Sequence, residues 1–178
     1  MSIQFGPRAR RLVFMTVSLV AVASSTAAVV LAGGATFENG REVTAVRTVW
    51  SGTSVGPTTS HVESDVPGMS LTVKVPAGQQ ALLLITFSAS STCTDSVGSN
   101  NGCLILARVD NVLEAPGAFA FDQASDGPGL EGHSAQFVAT VGSGTHTVKI
   151  GWYVSDPDGS GSFQLTDPVL SVLRSRIP

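Results

Sequence analysis

Past residue 40 the signals are alternation of apolar and polar residues with a period of two, punctuated by turn residues, and no stretch sustains the 3.6-residue period of an amphipathic helix. Val148, Ile150, Trp152 and Val154 share one face, while Thr147, Lys149 and Tyr153 occupy the other. Met69, Leu71, Val73 and Val75 alternate in the same way with Ser70, Thr72 and Lys74. A period of two places successive side chains on opposite faces of a strand, so each run predicts a half-buried β-strand. Charged residues make up only 13% of the chain, about half the usual share, which argues against long solvated helices.

Further strands are expected over Val43 to Trp50, Ala81 to Phe87, Cys103 to Val109, Ala118 to Phe121, His133 to Val141 and Phe163 to Ile177. Residues 51–60 read as a Gly/Ser/Thr loop. Val75-Pro-Ala-Gly78 ends one strand. The next, residues 81–87, is apolar on both faces, as a central strand covered on both sides would be, and the Ser-rich run 88–91 bounds it. Asp110-Asn111 reads as a turn and Gly142-Ser-Gly144 as a hairpin connection. Asp167-Pro168 is expected to break the last strand, because proline cannot donate to a central ladder. About eight strands result. They predict an all-β domain over residues 43–178, a two-sheet antiparallel sandwich of jelly-roll or immunoglobulin-like form.

The N-terminus reads as an export signal helix over residues 1–35. Arg8, Arg10 and Arg11 precede a stretch from Leu12 to Ala32 with no charged residue. Small residues at its far end, in Ala21-Val22-Ala23, Ser25-Thr26-Ala27 and Gly33-Gly34-Ala35, suit signal-peptidase cleavage. The alternative is an uncleaved membrane anchor over residues 12–32, long enough to span a bilayer once. Residues 36–42 then form a linker. Either reading places the domain outside the cytoplasm, secreted or held at the membrane.

Net charge is −3. Without residues 1–35, 7 basic residues face 13 acidic ones, hence −6. A nucleic-acid partner would require a basic stripe, so none is expected. The two cysteines, Cys93 and Cys103, flank a polar Gly/Asn/Ser segment. In an exported chain such a pair predicts a structural disulfide; no suitably spaced third ligand suggests a metal.

Val75-Pro-Ala-Gly78 with the apolar strand 81–87, the Cys93/Cys103 pair and Gly144-Thr-His-Thr-Val-Lys-Ile-Gly-Trp152 resemble uncharacterised small secreted bacterial β-sandwich proteins. More distantly, the chain is similar to jelly-roll modules of the C1q and tail-fibre kind. The resemblance covers roughly residues 43–176. It implies a fold and an extracellular address, and carries no catalytic residues with it.

Chemistry is sparse. Gly52-Thr-Ser54-Val-Gly56 matches the nucleophile-elbow pattern, but Pro57 follows where that motif needs a helix. His61, Glu63 and Asp65 fall on one alternating face, a conceivable acid-base or metal site; an exposed polar strand face is the simpler reading. Asp156, Asp158, Ser160 and Asp167 follow a calcium-loop outline in part, with Ser at the fifth position and Asp in place of the bidentate Glu. An ordinary polar turn accounts for the same residues, so no metal or cofactor is expected, Ca²⁺ being the nearest possibility. Trp50 and Tyr153 are the aromatic residues best placed to stack on a carbohydrate. The expectation is a non-catalytic extracellular binding or structural module with a wall glycan or protein partner, or a homo-oligomer. The alternative is a small secreted hydrolase using Ser54 or the His61/Glu63/Asp65 face.

Overall fold

A computed structural model describes residues 42–94, 102–123, 129–155 and 161–177. All of them belong to one compact unit, Asn39–Pro178. The signal segment and most of the linker lie outside the described residues, and so do Asp156, Asp158 and Ser160. Among the described residues there are ten strands and no helix.

The strands are β1 (Val43–Trp50), β2 (Val55–Thr58), β3 (Ser64–Val75), β4 (Ala81–Thr94), β5 (Gly102–Val109), β6 (Val112–Leu113), β7 (Phe119–Gln123), β8 (Glu131–Val141), β9 (Gly144–Ser155) and β10 (Ser162–Arg176). They form two antiparallel sheets. The first has the order β1-β10-β4-β8, with β2 following β1 along the same side of β10. The second has the order β3-β9-β5, with β6 and β7 end to end along β5. Ten strands therefore arise where about eight were expected, because two edge strands are interrupted. The chain changes sheet at every connection except β1–β2 and those joining β5, β6 and β7.

The alternation read in the sequence builds the core. Val148, Ile150, Trp152 and Val154 of β9 face Ala81, Leu83, Ile85 and Phe87 of β4, and all belong to one buried cluster. Phe121, Phe163 and Trp152 add aromatic contacts between the layers, with Trp152 and Phe163 centroids 5.6 Å apart. Burying such side chains, at roughly 25 cal/mol per Å² of apolar surface, is what drives the sheets together.

Five expectations need correction. Strand β4 does not stop at Phe87. It runs through the Ser-rich segment to Thr94, paired with β10 and β8, so backbone ladders override the weak strand propensity of serine. Nor is β4 covered on both sides: Leu82, Leu84 and Thr86 are half-buried on an outward face. Strand β10 is not broken at Asp167-Pro168, which form a bulge opposite Ala89 with Asp167 at φ 51°. The extra residue lets proline sit in a central strand without interrupting the ladder beyond it. Gly142-Ser-Gly144 joins β8 of the first sheet to β9 of the second, so it is a crossover and not a hairpin.

Lastly, the loop expected at 51–60 contains β2, paired with β10 at Phe163 and Leu165. Proline is tolerated there because β2 is an edge. Gly56 has φ 101°, and a Cβ on it would lie 2.8 Å from the Trp152 ring, so only glycine lets the edge close over that ring. Asp110 and Asn111 form the expected turn, at φ 51° and 69°, linking β5 to β6. Two positive φ angles are what a two-residue type I′ hairpin requires.

Candidate functional site

Cys93 ends β4 in the first sheet and Cys103 begins β5 in the second, so their disulfide staples the two layers. The Cα atoms are 5.9 Å apart and both residues are buried. A buried bridge of this kind is consistent with folding in an oxidising, extracytoplasmic compartment.

The residues weighed for catalysis are each engaged separately. Ser54 is exposed, and its Oγ lies 3.2 Å from Thr166 Oγ1, with no histidine as its hydrogen-bond partner among the described residues. His61 Nδ1 lies 3.2 Å from the Val154 carbonyl. Glu63 accepts two hydrogen bonds from Arg108, Nε and Nη2 each at 2.5 Å. Asp65 accepts one from Lys149 at 2.7 Å. The polar face is thus divided into ion pairs across the second sheet. Glu63 reaches Arg108 by crossing β9 over Gly151, where a Cβ would come within 3.0 Å of its Oε1. The Glu63 hydrogen bonds push Arg108 further above its already high ordinary value.

Asp167 is exposed at the β10 bulge, apart from any group of three or more metal-ligating side chains among the described residues. Tyr153 faces outward on the second sheet and is half-buried opposite Leu104.

Trp50 is different. It ends β1, paired with Val169, and is 68% exposed. It stands at one edge of the outward face of the first sheet. Register places Thr48, Ser171, Thr86 and Gln136 in one cross-strand row, and Trp50, Val169, Ser88 and Ser134 in the next. Hydroxyls there contact one another: Thr48 and Ser171 at 3.1 Å, Thr94 and Ser162 at 2.6 Å. A third row, Val46, Leu173, Leu84 and Val138, is aliphatic. None of these paired outward positions carries a charge.

Sequence reasoning missed a buried polar pair. Ser91 Oγ donates to Asp122 Oδ2 at 2.6 Å, and the Gln123 amide donates to Oδ1 at 2.7 Å. A buried carboxylate needs such donors. His133, on an inward position of β8, packs against Phe121 with ring centroids 5.5 Å apart and planes tilted by 55°, and its buried Nε2 has no hydrogen-bond partner among the described residues. Its strand position was legible. Its neighbours, supplied by other strands, were not.

No family model and no curated protein matches the chain. Among solved structures it is similar to dimeric latent PorU from Porphyromonas gingivalis, at a TM-score of 0.31 and 11% identity over 78% of this chain. The chain spans 14% of the length of that protein. A likeness so slight supports neither a fold assignment nor a role.

Proposed function

We propose that the protein is a non-catalytic extracellular binding module of jelly-roll form, exported by its N-terminal segment, and that it binds a neutral glycan of the cell wall through the outward face of its first sheet. The observation that carries this reading is Trp50, whose ring stands largely exposed beside rows of uncharged hydroxyl and amide side chains. An aromatic ring gives a sugar an apolar platform, and hydroxyl rows supply donors and acceptors without favouring a charged ligand.

The jelly-roll reading is supported by the strand order. Counting β1 with β2 and β6 with β7 as single interrupted strands leaves eight, four to a sheet, with the chain alternating between layers. An immunoglobulin-like sandwich keeps more consecutive strands in one sheet. The similarity to secreted bacterial sandwich proteins and to C1q and tail-fibre modules belongs to this same proposal.

Retention of the processed domain on insoluble wall polysaccharide, at varied salt, tests the function. Trp50→Ala should lower retention about tenfold, the scale of losing a stacking anchor, while Ser54→Ala and His61→Ala leave it unchanged. Hydrolysis of the polymer, lost in either of the last two variants with folding intact, would favour the hydrolase reading instead.

A second reading has its own observation. The aliphatic row Val46, Leu173, Leu84 and Val138 would suit pairing of two copies face to face. Sedimentation equilibrium decides it: a dimer that Leu173→Ser dissociates supports the reading, and a monomer opposes it.

A further inference from the structure

Where β1 and β3 adjoin at one end of the sandwich, a cleft of about 280 Å³ opens, lined by Ala45, Arg47, Val73, Lys74, Pro76 and Arg174. Arg47 and Arg174, on neighbouring strands of the first sheet, bring two cations to it, while Lys74 of the second sheet borders it with its backbone carbonyl. The other strand cations of the second sheet are neutralised, Arg108 by Glu63 and Lys149 by Asp65. Arg47, Lys74 and Arg174 have no carboxylate partner among the described residues.

Guarding of sheet edges accounts for part of this arrangement. Charged side chains on edge strands discourage pairing with another chain, and both β1 and β3 are edges. Arg174 has no such explanation. It lies on β10, an internal strand between β1 and β4, where there is no edge to guard. Its guanidinium is nevertheless held in place: Nε donates to Thr44 Oγ1 at 2.9 Å, and Nη1 donates to the Lys74 carbonyl across the gap between the sheets. An arginine fixed through part of its fork, with donors to spare and the exposed Arg47 beside it, is arranged to receive an anion.

We propose that this cleft binds a phosphate monoester, its phosphate held by Arg47 and Arg174 and its apolar portion against Ala45, Val73 and Pro76. A carboxylate brings one charge and two oxygens, which a single arginine can satisfy. A phosphate monoester carries about −1.5 to −2 charge and three terminal oxygens, and so can use both guanidinium groups. This site is independent of the glycan-binding face, which lies on the outward side of the first sheet.

The test is an NMR titration of the processed domain at low ionic strength with phenyl phosphate, inorganic phosphate and benzoate. Phenyl phosphate should saturate, shifting resonances of Arg47 and Arg174, with inorganic phosphate and benzoate each about tenfold weaker or more, roughly 1.4 kcal/mol. The variant Arg47→Ala changes one exposed side chain, and its melting temperature checks that it folds. It should lose tenfold or more in affinity for phenyl phosphate. Absence of saturable shifts, or unchanged affinity in the folded variant, overturns the site. Benzoate binding as tightly as phenyl phosphate overturns the phosphate class, and inorganic phosphate binding as tightly overturns the role of the apolar wall.

Discussion

His146 and Asp110 form an ion pair that ties the β5–β6 turn to β9, with Nδ1 2.7 Å from Oδ2. The other ring nitrogen, Nε2, lies 2.9 Å from the Gly142 carbonyl. Carboxylate and carbonyl oxygens only accept, so both ring nitrogens must carry protons for both bonds to form. The imidazolium fits this site and the neutral ring does not. The Asp110 hydrogen bond, aided by the one to Gly142 and opposed by partial burial, raises His146 above its ordinary value. The Thr147 amide, then His146, hold the Asp110 carboxyl below its own.

Stability should follow from those directions. The His146 contribution is complete below the ordinary imidazole value of about 6.5 and is lost as pH rises through the raised one. The Asp110 contribution is complete above the ordinary carboxylate value of about 3.9 and is lost as pH falls through the lowered one. Melting temperature should therefore decline from pH 6 toward pH 9, and His146→Ala should flatten that decline. An NMR titration of His146 should shift back toward the ordinary value in Asp110→Asn. No change there would contradict the pairing.

The inter-sheet disulfide closes a loop with a sequence separation of 10. Its reduction, or Cys93→Ala/Cys103→Ala, should cost about 2–3 kcal/mol in denaturant unfolding with little change in the slope. Thiol titration of the unfolded, unreduced protein should find no free thiol. Two free thiols would contradict the bridge.

Gly56→Ala combines a positive φ with a collision against the Trp152 ring. Backbone strain of about 1 kcal/mol and overpacking of about 1–3 kcal/mol should act together. Gly78→Ala, also at positive φ but with nothing within 4 Å of the added carbon, should cost only the first. Equal losses of stability in the two variants would contradict the close approach.

Glu63, Gly151 and Arg108 should behave as one unit. Gly151→Ala displaces the Glu63 side chain from above β9, so its cost should be about 1 kcal/mol, near the upper end for a partly exposed ion pair. In a Glu63→Ala background the same substitution should cost much less. Additive losses would show that Gly151 does not act by making room for Glu63.

The β9 face was legible because its apolar residues all point to one core, and Trp152 is buried where alternation places it. The extent of β4 was not. Ser88 and Ser90 continue the outward row, but inward Ser91 is satisfied by Asp122, 31 residues away. Asp167-Pro168 signalled a break because sequence cannot show that a bulge will absorb the proline. Gly142-Ser-Gly144 resembled a hairpin because spacing encodes the tightness of a turn and not the sheet that the next strand joins. The face beside Trp50 and the cleft around Arg174 depend on contacts between strands 100 or more residues apart, for which single-strand periodicity carries no signal.

The central claim is that a neutral wall glycan lies on the outward face of the first sheet. Chemical-shift mapping of the processed domain, titrated with soluble neutral fragments of the wall polysaccharide, tests it most directly. The account predicts saturable shifts confined to Trp50 and the rows containing Thr48, Ser171, Thr86 and Ser88, with the fragments recovered uncleaved. Shifts gathered around Ser54 and His61 with cleavage of the fragments, or no saturable shift on that face, would contradict it.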